Sequence, residues 1–195
     1  MDKEYFDFIK DAYTSGLCEE YKTEIKNCHE DKLKLMRLAM RQQSIPYMAT
    51  KFYNGVVSKE YMLQAYGGYL NGFILKDCDN VEGYTYAWYM DYDYDNDLMI
   101  ETDVSHISFT VGASVVIPKT KCPTIYVSNK SNIHLVCDGY NTAKIYLFDK
   151  SIVTVEELGH DSSLLVYKYS DESEITRGKY CLGNNIRVFN KKLKI

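Results

Sequence analysis

From Val104 to Arg177 one short pattern is written again and again, and it limits the folds open to the chain. The units are Ser105-His-Ile-Ser-Phe-Thr-Val, Ala113-Ser-Val-Val-Ile, Thr124-Ile-Tyr-Val, Ser131-Asn-Ile-His-Leu-Val, Ala143-Lys-Ile-Tyr-Leu-Phe, Ser151-Ile-Val-Thr-Val, Ser163-Leu-Leu-Val-Tyr and Ser173-Glu-Ile-Thr. Each opens on a small or hydroxyl residue, continues in Val, Ile and Tyr, and ends at Gly, Asn or Asp. A new unit begins about every ten residues, which is the signature of short strands stacked at a fixed period.

Side chains alternate along a strand, so Ile107, Phe109 and Val111 are expected on one face and Ser108 and Thr110 on the other. The same rule pairs Ile125 with Val127, Ile133 with Leu135, Ile145 with Leu147, Val153 with Val155, and Leu165 with Tyr167. Two architectures fit one apolar and one polar face per strand. In a β-solenoid the units stack as coils; in a β-sandwich or jelly roll they pair through hairpins. The even period and the Ser, Asn and Asp corners favour the solenoid. Hairpins would more often carry Asn-Gly or Asp-Gly turns, and within the repeats only Asp138-Gly139 qualifies. Roughly eight short strands give three or four coils on this count.

The first part of the chain follows a different rhythm. Residues 4–15 carry Tyr5, Phe6, Ile9, Ala12 and Tyr13 at helical spacing, closed by Gly16. Leu17, Tyr21, Ile25 and Cys28 mark a second helix. Leu33, Met36, Leu38 and Met40 mark a third, entered through Glu30 and Asp31. Ser44 before Ile45-Pro46 is an expected N-cap for a fourth helix with Tyr47, Met48, Phe52 and Tyr53 inward. Ser58 caps a fifth, with Tyr61, Met62, Ala65 and Tyr66 inward and a stop at Gly67-Gly68. The expected class is therefore α+β: a small helical module over 1–80 and a β-repeat, solenoid-like domain over 81–195. The helical module is expected to cap one open end of the solenoid.

Charge and cysteines exclude more than they assign. Residues 1–100 hold 11 basic and 17 acidic side chains, and residues 101–195 hold 12 and 10, so neither half has the charge density of a nucleic-acid surface. The six cysteines, at 18, 28, 78, 122, 137 and 181, show no Cys-x-x-Cys spacing. The N-terminus resembles no signal peptide, and no run is long enough to span a membrane. Reduced thiols in a soluble protein, in the host-cell cytoplasm or associated with a virion, are the expectation.

Candidate chemistry is thin. Asp91-Tyr-Asp93-Tyr-Asp95-Asn-Asp97 has the alternating carboxylates of a calcium loop, but Asn96 stands where Gly is needed and Thr102 where Glu is needed. His106, His134 and His160, with Cys122, Cys137 and Cys181, fall in different units without paired ligand spacing. His160-Asp161 beside Ser162 and Ser163, and Glu156 beside Glu157, are sequence neighbours and so project to opposite faces of a strand. No Gly-rich phosphate loop occurs. No catalytic residue, cofactor or metal is expected, and the His and Glu side chains are expected at the surface.

Several segments carry a resemblance. Gly16-Leu-Cys-Glu-Glu-Tyr, Ile45-Pro-Tyr-Met-Ala-Thr-Lys-Phe-Tyr-Asn-Gly, Leu70-Asn-Gly-Phe, Ile125-Tyr-Val-Ser-Asn-Lys-Ser-Asn-Ile-His-Leu, Ala143-Lys-Ile-Tyr-Leu-Phe-Asp-Lys-Ser, Leu165-Val-Tyr-Lys-Tyr and Ile186-Arg-Val-Phe-Asn-Lys-Lys together resemble a family of uncharacterised proteins of gut Bacteroidales and their phages and prophages. The likeness covers nearly the whole chain, but its motifs are structural, and the acidic Tyr-rich stretch at 84–97 departs from it. It implies a mobile-element origin and no particular activity. The expected function is that of a non-catalytic phage- or prophage-type interaction or structural protein acting through its β-repeat surface, with a protein partner or by self-association, and without nucleic acid or membrane. The alternatives are a small inhibitor of a host process that binds a basic partner, and a carbohydrate-active β-helix enzyme, which would need carboxylates stacked on one outer face.

Overall fold

A computed structural model describes residues 10, 14, 18–28, 31–92, 97–137, 139, 141–181 and 185–192. The helix expected over 4–15 lies outside them apart from Lys10 and Thr14, both helical. Four helices follow among the described residues: α1 (Glu19–Asn27), α2 (Lys32–Ala39), α3 (Ile45–Tyr53) and α4 (Lys59–Tyr66), the last running into a 3-10 turn at Gly67–Tyr69.

Local chemistry sets their ends. The Asp31 carboxylate accepts from the Lys34 N–H at 3.1 Å and so caps α2, and this bond holds its pKa below the ordinary carboxylate range. Ser58 Oγ accepts from the Tyr61 N–H at 3.1 Å and caps α4. Ser44 does not cap α3: its backbone is already helical, and its hydroxyl bonds the Tyr21 hydroxyl instead. Tyr53, expected inward, is 49% exposed, while Ile45, Met48, Ala49 and Phe52 carry the buried face of α3.

The remainder is a two-sheet β-solenoid. Seven strands form one sheet in the order β1 (Leu75–Lys76), β2 (Thr85–Met90), β4 (Val104–Ser108), β6 (Thr124–Ser128), β8 (Thr142–Leu147), β10 (Ser163–Lys168) and β12 (Ile186–Asn190). Five form the other, from β3 (Leu98–Met99) through β5 (Val111–Val116), β7 (Asn132–Cys137) and β9 (Ile152–Leu158) to β11 (Glu174–Tyr180). Every pair is parallel except β1 with β2, which excludes the sandwich. Each coil uses one strand from each sheet, so the ten-residue unit of the sequence is half a coil. Strands β2 to β11 make about five coils rather than three or four, because β2 and β3 extend the stack ahead of Ser105.

Register builds the core. In the seven-stranded sheet Ser105, Ile125, Ile145, Val166 and Val188 lie over one another; in the other sheet Ala113, Ile133, Val153 and Ile175 do. Ile125, Ile133, Ile145, Val153 and Val166 are all at or near zero exposure. Two expected assignments fail. Phe109 leaves the alternation with φ 56°, and Val111 is 57% exposed, so of that trio only Ile107 enters the core. In β10 it is Leu164 and Val166 that point inward, and Leu165 and Tyr167 point out. Ser163-Leu-Leu-Val-Tyr is apolar at both phases of the alternation, so its pattern cannot set its own register.

The corners explain the hydroxyl residues that open the units. Ser131, Ser151 and Ser173 are fully buried, and each directs both its N–H and its Oγ–H to the carbonyl three residues back, on Ser128, Phe148 and Ser170. One side chain thus satisfies a carbonyl where the strand ladder stops.

The helical module does not close an end of the solenoid. It lies against the outer face of the seven-stranded sheet, where Met36, Met48 and Phe52 share one core with Tyr86, Trp88, Met90, Val104, Tyr126 and Phe148. The first coils are therefore buried on both sides, as the unbroken apolar run Tyr86–Met90 requires. Phe52 meets Trp88 and Phe109 edge-on at 5.9 and 5.5 Å.

Val153→Asp is expected to cost about 3–5 kcal/mol in a denaturant melt, since it leaves a charge buried without a partner. Leu165→Asp is expected to cost less than about 1 kcal/mol, because its rung neighbours are Lys144 and Arg187 on the outer face. Equal losses in the two variants would contradict the register of β10.

Candidate interaction surface

The outer face of the seven-stranded sheet carries one row of rings. Trp88, His106, Tyr126, Tyr146, Tyr167 and Phe189 occupy the same rung position in successive strands. Trp88 and His106 stack at 4.7 Å, Tyr126 and Tyr146 at 4.7 Å, Tyr146 and Tyr167 at 4.8 Å, and Tyr167 and Phe189 at 5.3 Å. A second row begins with Phe148 on Tyr169 at 5.1 Å. These spacings are the strand spacing itself, so the ladder hydrogen bonds hold the rings face to face.

The helices cover only the start of the row. Trp88, His106, Tyr126 and Phe148 are buried, Tyr146, Tyr167 and Tyr169 are half-buried, and Phe189 is 40% exposed. Stacked rings spend their faces on one another and turn edges and hydroxyls outward. A sugar ring needs a free aromatic face, so this row is poorly built as a sugar platform and well suited to contact with protein side chains. Burial and neighbouring phenols push Tyr126 and Tyr146 up, so their hydroxyls stay protonated and remain donors.

Beneath the helices lies a polar chain. His106 Nε2 is 2.7 Å from Ser128 Oγ, and Ser128 Oγ donates to Asn129 Oδ1 at 2.7 Å. Asn129 Nδ2 donates to the Ala49 carbonyl of α3 at 2.9 Å, and its N–H to the Asp149 carboxylate at 2.9 Å. With the Ser128 proton committed to Asn129, His106 must donate from Nε2, which leaves Nδ1 as a buried acceptor without a partner. Burial pushes the His106 pKa down to about 3, so the ring is neutral. The pair has the members of a Ser–His dyad but not its function. The serine proton points away from the histidine, no carboxylate orients the ring, and both side chains have no exposure. His106 is thus a packed core residue, contrary to the expectation of a surface position.

The other candidates are dispersed. His134 Nδ1 lies 2.7 Å from Glu156 Oε1 on the outer face of the five-stranded sheet. Glu156 crosses close over Gly178, where a Cβ would come within 2.8 Å of the Glu156 Cα. His160 and Asp161 are exposed at a turn, Glu157 is exposed, Ser162 is buried with its hydroxyl on the Gly139 carbonyl, and Ser163 Oγ pairs with Thr142. Cys137 is buried, Cys122 exposed and Cys181 half-buried. Among the described residues no three His, Cys, Asp or Glu side chains converge as metal ligands. The centre of the 91–102 stretch lies outside the described residues; of its ends, Asp91 pairs with Lys59 at 3.0 Å and Asp97 is exposed.

Sequence reasoning missed an apolar cavity of about 240 Å³ in the helical module, lined by Ile25, Met36, Tyr47, Met48, Tyr61 and Tyr66 among others. Its polar rim is the Tyr21–Ser44 hydroxyl pair, and burial raises the Tyr21 phenol, so the rim offers no activated nucleophile. Among the described residues no helix is long and apolar enough to cross a membrane. No family model, curated protein or solved structure matches the chain.

The neutral His106 gives the stability a pH dependence of known sign. Its folded pKa is depressed below the ordinary 6.5, so this contribution is intact above that pH and is lost as pH falls toward about 3. The loss should approach about 1.4 kcal/mol per pH unit. Urea melts at pH 7.5 and 5 should show a smaller difference for His106→Gln than for the wild type.

Proposed function

We propose that the chain is a non-catalytic interaction or structural module that works by protein contact through its β-solenoid. The observation that carries this reading is the aromatic row that emerges from under the helices and runs out over the last coils at Tyr146, Tyr167 and Phe189. A row of half-exposed tyrosines, with the Lys191 ammonium 5.9 Å from the Tyr167 ring, supplies the aromatic surface that anchors protein interfaces. The dispersed polar side chains speak in the same direction, since the His106–Ser128 pair is sealed and Glu156 is held by His134. The phage or prophage setting rests on the segmental resemblance alone.

The test is affinity capture with identification of the bound protein, repeated with variants of the row. Tyr167→Ser is expected to weaken capture at least about tenfold while the fold persists by circular dichroism, and Tyr146→Phe, which keeps the stack, is expected to retain it. Capture indifferent to both changes, or turnover of a polysaccharide abolished by one carboxylate substitution, would overturn the reading.

A further inference from the structure

The described residues expose ten large apolar side chains, and eight of them sit at the two ends of the strand stack. At the leading end are Phe73, Ile74, Val81 and Tyr84 around the β1–β2 hairpin, and Met99 on β3. At the trailing end are Tyr180 on β11 and Val188 and Phe189 on β12. Only Tyr53 and Val111 lie elsewhere. The apolar exposure of the described residues is thus concentrated at the places where each sheet runs out of strands.

Among the described residues both ends also present strand backbone without a ladder partner. The terminal strands of the seven-stranded sheet are β1 and β12, and those of the five-stranded sheet are β3 and β11. Among the described residues each has one strand neighbour, so its other side carries N–H and C=O groups that ladder pairing would satisfy. The trailing end also leaves the core ladder open: Val188 stands over the fully buried Val166 yet is 47% exposed.

The charges at the two ends differ in sign. The leading end carries Asp77, Glu82, Asp97 and Glu101, all exposed, against Lys76. The trailing end carries Arg177, Lys179, Arg187, Lys191 and Lys192, all exposed, against Glu174 on β11 and Asp171 and Glu172 at the last corner, which leaves it net basic. Charge of one sign at both ends would make the ends of two copies repel. Here the end of one molecule is the electrostatic complement of the opposite end of another.

We infer that the protein associates head to tail with further copies of itself, the acidic leading end of one copy receiving the basic trailing end of the next, so that both sheets continue across the junction. In that arrangement β12 of one copy lies antiparallel to β1 of the next, and β11 lies parallel to β3. With only two residues each in β1 and β3 the backbone ladder is short, so the apolar side chains and the charge contribute much of the contact. The contact is heterologous, so it grows open chains rather than closing at a dimer. This inference deepens the binding reading and rests on it, in taking the β-solenoid as a contact surface.

Sedimentation velocity and light scattering of the full chain over a wide concentration range provide the test. The weight-average mass is expected to climb past that of a dimer, and to fall when salt is raised from about 50 to 500 mM. Two variants separate the ends. Arg187→Glu with Lys192→Glu makes both ends acidic, and Glu82→Lys with Glu101→Lys makes the leading end basic; each alone should be monomeric. Mixed in equal amounts they should associate again, because each supplies the end the other has lost. The acidic double variant added in small amounts to wild type should shorten the chains by terminating one end. Wild type that stays monomeric throughout, or a discrete dimer indifferent to these substitutions, would overturn the inference. Capture of a different protein by a strictly monomeric chain would sink self-assembly and leave the binding reading standing, whereas loss of that capture in Tyr167→Ser with assembly intact would separate the two surfaces.

Discussion

The parallel ladder between coils is the constraint from which the rest of the structure follows. Each residue of a coil must lie one strand spacing from its counterpart in the coils on either side. Like side chains are therefore placed on like, which suits branched aliphatics and rings and penalises stacked charge. The inner rows answer with Ile125, Ile145 and Val166 and with Ile133 and Val153. The outer row answers with rings in six successive strands. The corner that recurs in register uses the same solution in three successive coils, a buried serine closing on the carbonyl three residues back.

The helices are subordinate to that ladder. Each of the four is eight or nine residues long, too short to hold its form in isolation. Their stability comes from the apolar outer face of the first coils, and from the polar ties that fix their position on it. Arg41 joins Glu24 through both carboxylate oxygens and reaches the Cys78 carbonyl. Asn129, at a solenoid corner with φ 56°, reaches the carbonyl of Ala49 in α3. In return the helices remove from water an outer row that would otherwise expose Trp88, Tyr86 and Met90.

Much of this was legible in the sequence. The solenoid followed from period and corner residues, and the inward pairs Ile125/Val127, Ile133/Leu135, Ile145/Leu147 and Val153/Val155 from alternation. What failed did so where the local pattern is degenerate or where a distant partner decides. Leu164 and Leu165 are equally apolar, so only the stacking of neighbouring coils selects which faces in. His106 lies on a strand covered from outside and Phe109 turns out just past its end, and no pattern within the repeat announces a helix above them. Ser44 has the right neighbours for a cap, yet its hydroxyl is taken by Tyr21 from another helix. The aromatic row was present as a surplus of tyrosine but became a row only when register placed Tyr126, Tyr146 and Tyr167 in line. The charge asymmetry between the halves was visible too, without the geometry that assigns it to two ends.

The corner serines have a consequence for how such a chain can change length. Because three successive coils turn on the same device, a whole coil could be added or lost among them and the rows above and below would still meet. A single inserted residue would instead invert every side chain after it in that strand. The helices rest on β2, β4, β6 and β8, so gains or losses there would move their footing. Only the coils beyond β8 are unencumbered, and variation in size among relatives of this chain should therefore be quantised in steps of one coil and confined to its carboxyl-terminal third.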